Sequence, residues 1–358
     1  MRAPRLLILL LLCGSCAARG ETPQVQFLLL PSAEAVGTFA RDALVTQPYD
    51  EVLRADMILS LQRGPFRLFT EYLLSDHEGD LERFQLGYQF SSDTVLWLGR
   101  FHQPTSVWNH DHHHGQYLQT SITRPAIEEW EDLGGILPQH FTGALLETSR
   151  PLASGWRLRM AGSGGLAPQL NPGGLEPFDL VHPDHHRRQL GYHARLSLHP
   201  GDLDESGFGV LLAREDLARI GPPAASILGL DHVQLSLYGV FASYVEDPWR
   251  LLAVLFHADA RLFFDATPSR GDSFALGYTQ AERRFGHDLT AFVRLEGTAQ
   301  AADSRYLGLF PAYPRSRQLA GVRWDFAPRQ AFTLQLTNSH TFTGHFADVR
   351  VQWSAALL

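Results

Sequence analysis

Residues 190–198 read LGYHARLSL, and the alternation in this stretch decides the fold. Apolar side chains stand at every even position, where Leu190, Tyr192 and Leu196 are examples, while His193 and Arg195 stand on the odd positions. Alternation with a period of two is typical of a β-strand that has one apolar and one polar face. This segment is therefore predicted to be a strand between an apolar and an aqueous environment.

The same alternation recurs along almost the whole chain, and helical periodicity is nearly absent. The alternation is found at residues 52–62, 65–74, 84–90, 94–101, 139–148, 154–162, 206–214, 231–244, 249–260, 271–281, 287–298, 317–327, 329–338 and 345–356. Many strands of about ten residues are typical of a transmembrane barrel, because that length crosses an outer membrane at a tilt. A soluble β-sandwich is the less favoured alternative.

The connections between these stretches are alternately short and long. Gly64-Pro65 and residues 91–93 are short, whereas residues 102–138 and 163–186 are long. Transmembrane barrels have short periplasmic turns and long outer loops, so the short links are assigned to the periplasm. This parity requires one more strand, within residues 24–46. The prediction is an all-β, antiparallel transmembrane barrel of about sixteen strands, spanning residues 19–358 in the outer membrane of a Gram-negative bacterium, with its lipid as partner.

The first 18 residues have the features of a secretory signal peptide. Arg2 and Arg5 precede an apolar run, and small residues up to Ala18 supply a cleavage site. A lipoprotein acylated on Cys16 is the alternative. Without Arg2 and Arg5, 28 of the 30 cations face 38 carboxylates, a formal charge of −10 that argues against a nucleic-acid partner. Every cation is Arg, which indicates either a GC-rich genome or a preference for guanidinium groups in a lumen.

A long insertion between residues 99 and 145 interrupts the alternation. It contains six of the seventeen histidines, an acidic run and two tryptophans. Long irregular insertions in regular domains are usually functional or disordered, and the aromatic content favours order. Residues 102–138 are predicted to fold into the lumen as a constriction or plug.

The sequence of this insertion resembles that of a mostly uncharacterised family of porin-like bacterial outer-membrane proteins. The resemblance is carried by Gly99–Phe101, Pro104, Trp108-Asn109, His113–Gly115, Ser121-Ile122, Arg124-Pro125, Glu131-Asp132, Gly134-Gly135, Leu137-Pro138, His140 and Gly143. It covers about forty-five residues and implies a sixteen-stranded porin-type fold, with no established chemistry. The chain departs from such barrels in ending on Leu358 rather than on an aromatic residue.

Charged residues on the polar strand faces and in the insertion are the candidate pore residues. With the uncharged Trp108 and Asn109 of the insertion, the predicted set of pore or loop residues is Arg67, Glu71, Arg100, Trp108, Asn109, Arg124, Arg157, Arg159, Arg195, Arg294 and Arg323. Charges facing lipid would cost about 2–4 kcal/mol each at the membrane midplane, so they are predicted to point inward. Facing rows of opposite charge would orient polar solutes, or would simply fill and stiffen the lumen.

Two alternatives to a passive pore follow from the same insertion. His113, His114, Glu131, Asp132 and His140 could hold zinc, manganese or iron, although their spacing matches no standard motif and a structural hydrogen-bond network is the simpler interpretation. Ser106, Ser121, His140 and Asp132 could serve a hydrolase, but no spacing singles out a triad, so no enzyme is predicted.

The sequence therefore predicts a porin-like channel for passive diffusion of small hydrophilic solutes. A slight cationic excess on the polar strand faces favours anionic solutes. A metal-binding barrel, concerned with uptake or sensing of a transition metal, and an outer-membrane hydrolase are the alternatives. Porins of this size are commonly trimers, so a homotrimer is considered without a subunit interface being identified.

Overall fold

The computed structural model describes residues 22–40, 49–76, 79–112, 115–131, 134–171, 173–181, 183, 188–201, 205–220, 229–265 and 267–357. The predicted signal peptide, including Cys16, lies outside these residues, as do His113, His114 and Asp132.

Sixteen strands form a closed antiparallel barrel, which confirms the predicted fold. They are β1 (Gln24–Ala40), β2 (Tyr49–Arg63), β3 (Phe66–Ser75), β4 (Gly79–Ser91), β5 (Thr94–His102), β6 (His140–Pro151), β7 (Trp156–Leu166), β10 (Leu190–Pro200), β11 (Gly207–Ala218), β12 (Leu230–Glu246), β13 (Trp249–Phe264), β14 (Arg270–Phe285), β15 (Leu289–Ala299), β16 (Pro314–Ala327), β17 (Gln330–Thr341) and β18 (His345–Ala355). Two short strands that were not predicted, β8 (Gln169–Asn171) and β9 (Gly174–Glu176), form a separate hairpin. The one α-helix of the described residues is α1 (Val107–His112), and no described helix is long and apolar enough to cross a membrane.

Each barrel strand pairs with its neighbour in the chain, and β1 closes the barrel against β18. In that closing pair Ser32 lies opposite Ser354 and Phe39 opposite Ala347. The additional strand predicted within residues 24–46 is β1. Closure leaves no unpaired sheet edge, which is what a β-structure in lipid requires.

The two faces of the barrel differ as the alternation predicted. On β13, Val254 and Phe256 are buried against the interior, whereas Leu255 between them is 56% exposed on the exterior. Exposed large apolar side chains recur on the outer face of most strands. Apolar side chains exposed to this extent around a closed barrel are the mark of a lipid-facing surface. The predicted outer-membrane location is confirmed.

Tight turns lie at one end of the barrel and long connections at the other. Residues 64–65, 92–93 and 247–248 make tight turns, whereas residues 103–139 and 300–313 are long connections. By the usual rule the end with tight turns faces the periplasm, and the inserted loop begins at the outer end.

Candidate functional site: the lumen and its inserted loop

The inserted loop, residues 103–139, folds into the barrel. Its Trp108, Ile127 and Ile136 are almost completely buried, and they belong to one apolar cluster with the inner faces of β11 to β14. The wall contributes residues such as Leu237 and Phe256 to this cluster. The loop is therefore packed against the wall as a core is packed in a soluble domain, and it reduces the free lumen.

A buried carboxylate organises the first part of the loop. Glu128 accepts hydrogen bonds from Ser106 Oγ at 2.6 Å and from the backbone N–H groups of Trp108 and Asn109, which lie in the first turn of α1. Such N–H groups have no partner within a helix, so the carboxylate satisfies them. Tyr278 of β14 donates a further hydrogen bond of 2.9 Å to Glu128. Burial raises the pKa of Glu128, although these four donors oppose the shift.

Arg294 of β15 makes the largest set of contacts between wall and loop. Its side chain is buried and donates to the carbonyl oxygens of Thr123 at 2.9 Å and Arg124 at 2.8 Å, and to the hydroxyls of Ser121 and Thr123. The same guanidinium bonds to Glu296 on its own strand at 2.8 Å. One charged group thus bonds to two carbonyls and two hydroxyls of the loop at once.

Further wall residues hold the loop along its length. The hydrogen bonds join Arg323 to the carbonyls of Tyr117 and Gln119, Arg317 to the carbonyl of Arg124, Gln335 to Ile122 N, Glu296 to Ala126 N, Glu282 to Thr120, Glu215 to Gln103, and Tyr306 to the carbonyl of Ile136. Gly115 lies so close to Leu30 of β1 that a Cβ atom there would overlap the leucine side chain. The loop therefore leaves the wall at β5 and contacts the wall from β11 round to β1.

Two of the five predicted metal ligands are described, and they bind each other. His140 Nδ1 lies 3.0 Å from Glu131 Oε2, and its Nε2 lies 3.1 Å from Glu82 Oε2. Trp130 stacks on the His140 ring with a centroid separation of 4.8 Å. Burial alone would raise the pKa of Glu131, but its interactions with His140 together have the larger effect and lower that pKa.

This arrangement is the hydrogen-bonded network that the sequence offered as the simpler interpretation. Among the described residues, no group of three His, Cys, Asp or Glu side chains is placed to hold a metal ion. His113, His114 and Asp132 lie outside the described residues, so metal binding remains a prediction.

Charged side chains remain exposed on the opposite side of the loop. His110 and Asp111, in α1, are 43% and 50% exposed, and Glu147 on β6 is 34% exposed. His110 Nδ1 lies 3.0 Å from Asp111, and His110 Nε2 lies 3.6 Å from Glu147. Enclosure opposes the charge on His110, but these two carboxylates raise its pKa to about 8. At neutral pH this group is therefore an imidazolium between two carboxylates.

Arginines of the wall face these carboxylates. Arg195 on β10 stacks over Phe241 at 4.6 Å, and its Nη1 is buried without a hydrogen-bond partner. Enclosure opposes ionisation of Asp111, but His110 first and then Arg195 hold the pKa of that carboxyl below its usual range. Arg157 on β7, which is 34% exposed, donates to Ser149 and lies 3.7 Å from Asp93. Arg159 follows Arg157 on the same inward face of β7.

The remaining predicted pore residues are part of the packed structure. Arg67 donates to Gln89, and Glu71 is buried in an ion pair of 2.5 Å with Arg83. Arg124 stacks over Trp130 at 3.8 Å and bonds to Asn109 within the loop. Arg100 is buried at the outer end of β5, 3.4 Å from Asp80. Trp108 and Asn109 are buried as well, so with Arg124 they contribute to the packing of the loop, whereas Arg67 and Glu71 pair with residues of β4.

A hydrogen-bonded serine, histidine and glutamate lie together on the inner wall, where the sequence did not predict them as a group. Ser163 Oγ on β7 lies 2.9 Å from His193 Nδ1 on β10, and His193 Nε2 lies 2.7 Å from Glu215 Oε1 on β11. The predicted hydrolase serines have other partners, since Ser106 donates to Glu128 and Ser121 to the carbonyl of Thr123. The alternation predicted His193 on the polar face of its strand. Its partner Ser163 lies on β7, and an irregular connection separates β7 from β10, so the sequence did not indicate that the two residues are neighbours.

The class that fold and lumen define is an outer-membrane β-barrel with a loop folded into its interior. Three solved structures are similar to the chain in fold. An anion-selective porin from Comamonas acidovorans matches with a TM-score of 0.61 and 12% identity, over 94% of this chain and 100% of that one. OmpF of Salmonella typhi in complex with daunomycin matches with a TM-score of 0.58 and 11% identity, over 93% and 97% of the chains.

The trimer form of OmpT, an outer membrane protein of Vibrio cholerae, is a further match. Its TM-score is 0.55 and its identity 8%, over 94% of this chain and 100% of that one. No protein-family model and no curated protein sequence matches this chain. The likeness therefore establishes a porin-like fold.

Proposed function

We propose that this chain forms an outer-membrane channel through which small hydrophilic solutes diffuse passively. The observation that carries the proposal is the exposure of charged groups inside the barrel: His110 and Asp111 of the loop and Glu147 of β6 stay exposed, although the apolar side chains of the same loop are packed against the wall. Exposed charges inside an apolar barrel need water around them. An aqueous path beside the loop meets that need. The resemblance to porins in fold supports the same function.

The proposal includes a preference for anions. Arg195 is a partly exposed cation on the inner wall whose Nη1 has no hydrogen-bond partner in the described part of the chain, so its charge favours an anionic solute. Asp111 and Glu147 oppose this preference, and protonated His110 offsets one of their charges. The selectivity for anions over cations therefore depends on these few charged groups. We also propose assembly as a homotrimer, which the trimer form of the Vibrio cholerae protein supports.

Current measurements in planar bilayers test the proposal. Purified barrel in a KCl gradient should give stepwise conductance, with a reversal potential on the anion side. Arg195→Gln should move the reversal potential towards cations, and Glu147→Gln should move it the opposite way. A folded barrel that carries no current would refute the channel. Steps with equal reversal potentials in all three proteins would refute only the anion preference.

A second candidate function, hydrolysis of a small ester, is favoured by the contacts of Ser163. A serine hydroxyl bonded to a histidine that is oriented by a carboxylate is the arrangement of an activated nucleophile. Here the serine bonds to Nδ1 and Glu215 to Nε2, the reverse of the usual assignment. Labelling of the folded barrel by a fluorophosphonate probe, lost in Ser163→Ala, would support this function. Absence of labelling in the unaltered barrel would exclude it.

A further inference from the structure

The exterior of β11 to β14 becomes polar towards its outer end. Lower on this face stand Val210, Val240 and Leu255, which are 43%, 52% and 56% exposed. Higher on the same face, a row of register partners runs from Arg214 through Ser236, Asp259 and Ser273. The next row contains Gln234 opposite Arg261. Polar side chains on an outward face are costly in lipid, so this change needs an explanation.

These polar residues line a groove on the outside of the barrel. Its volume is about 480 Å³, and it is lined by Arg214, Gln234, Ser236, Asp259, Arg261 and Ser273, among others. Leu212, 47% exposed, and Tyr238, 52% exposed, belong to the register rows immediately beneath. The site is therefore amphipathic, with a polar upper part above an apolar surface.

The height of the groove places it at the level of lipid headgroups. Asp259 lies ten residues along β13 from Trp249, which follows the tight turn at the periplasmic end. At about 3.3 Å per residue and a strand tilt of about 40°, ten residues rise about 25 Å. The apolar band of such barrels is also about 25 Å tall. The polar rows thus begin where the hydrocarbon of the outer leaflet ends.

The two arginines of the groove have binding capacity to spare. The side chain of Arg214 makes no hydrogen bond or ion pair within the described ranges. Arg261 donates only its Nε, to Ser269 Oγ at 3.1 Å, and its side chain lies over Phe263. Guanidinium groups bind phosphate through two parallel N–H bonds. Two such groups on an outward face at headgroup level are suited to phosphate.

The other groups of the groove suit sugar hydroxyls. Asp259 is 54% exposed, and His257 Nε2 lies 3.3 Å from it and 3.3 Å from the hydroxyl of Ser273. With the amide of Gln234, these groups provide acceptors and donors, the complement that hydroxyls require. A simple anion would gain nothing from the carboxylate. A phosphorylated sugar uses both kinds of group.

We propose that this groove binds a phosphorylated glycolipid of the outer leaflet, independently of what the lumen transports. Arg214 and Arg261 bind its phosphate groups, and Asp259, Gln234 and Ser273 contact its sugar. The acyl chains lie on Leu212, Tyr238 and Leu255 below. A second copy of the chain fits less well, because the exterior of the other strands is mostly apolar and would leave the arginines unpaired.

Binding of purified diphosphoryl lipid A to the detergent-solubilised, folded barrel tests the proposal. The unaltered barrel should bind it saturably, and R214Q/R261Q should weaken binding by about tenfold or more, since charge-assisted hydrogen bonds are lost. R283Q is the matched control. Arg283 also faces outward, beside Trp249 and Phe285 at the periplasmic end, so its removal should leave lipid A binding unchanged.

Each other outcome would overturn the proposal. Equal binding by the unaltered barrel and R214Q/R261Q would place the lipid elsewhere. Binding of dephosphorylated lipid A with the same affinity would exclude phosphate recognition, and displacement by inorganic phosphate at equal concentration would show a site for the free anion. A change of oligomeric state in R214Q/R261Q, seen by native mass spectrometry, would identify a subunit interface. Folding is checked by heat-dependent mobility in gel electrophoresis.

Discussion

Arg294→Gln is expected to release the inserted loop without unfolding the barrel. Four of the hydrogen bonds of Arg294 reach the loop, at Ser121 Oγ, Thr123 Oγ1 and the carbonyls of Thr123 and Arg124. The wall does not depend on them, because the strands on both sides of Arg294 keep their backbone pairing. The perturbation therefore acts on the loop and leaves the scaffold intact.

The size of the effect follows from the burial of the group. Removing one partner of a buried charge pair costs about 3–5 kcal/mol, because the other partner loses its compensation. In R294Q, Glu296 and the carbonyl of Arg124 would still accept hydrogen bonds from Arg317, so the lower part of that range applies. A cost of about 3 kcal/mol shifts the ratio of seated to released loop by a factor on the order of 10².

The assay is single-channel recording together with limited proteolysis of the loop. R294Q should show larger or fluctuating steps and faster cleavage within residues 103–139, and R294K, which keeps the charge but not the fork, should be intermediate. R350Q is the control, since among the described residues Arg350 forms ion pairs with Glu34 and Asp348, which both belong to the wall. If R294Q keeps the conductance and protease resistance of the unaltered barrel, or if R350Q opens it equally, the anchoring role is refuted.

Three further predictions follow. A tag at Gly173, in the hairpin of β8 and β9, should be labelled on intact cells and a tag at Ser92 should not; the reverse pattern would invert the assigned topology. Metal analysis of chelator-washed and reloaded barrel should find no stoichiometric zinc, manganese or iron, because Glu131 already binds His140. Metal that is bound by the unaltered barrel and lost in H140A would support a metal site instead. The pKa of His110 is raised to about 8, so this ring is a cation below that pH and loses its charge as the pH rises through it. The anion preference of the channel should therefore fall between pH 7 and 9 in the unaltered barrel and stay constant in H110Q. For the same reason its stabilising ion pairs are fully present below pH 6.5 and lost above about 8.

The strands of the barrel wall could be predicted from sequence because the alternation that marks each strand lies within the strand itself. Each strand shows its own alternation, and each pairs with the next barrel strand in the chain, so only the closing pair of β1 and β18 joins strands that are distant in sequence. β1 is the exception, since its polar face is interrupted by Leu30 and its apolar face by Pro31 and Gly37. Its existence followed only from the parity of the connections.

The lumen could be predicted only in part, because its contacts join residues far apart in the chain. Alternation put Arg294 on the inner face, but nothing in the sequence relates it to Thr123, which lies 171 residues away. Ser163 and His193 are paired across a connection of irregular length that contains a hairpin. Trp108 and Asn109 were named as pore or loop residues because they lie in the segment that resembles the porin-like family, and the structure buries both within the packed loop.

The absence of lysine has a structural consequence in the lumen, whatever its origin in the genome. Arg294 bonds through Nε, Nη1 and Nη2 to acceptors on two strands and the loop, and Arg323 reaches two loop carbonyls through Nη1 while its Nη2 holds Asp325. A lysine carries three donors on one nitrogen and cannot span acceptors spread over a plane. The barrel supplies a stable wall through backbone ladders, whereas the loop must be held by side chains. Guanidinium groups meet that requirement with few residues.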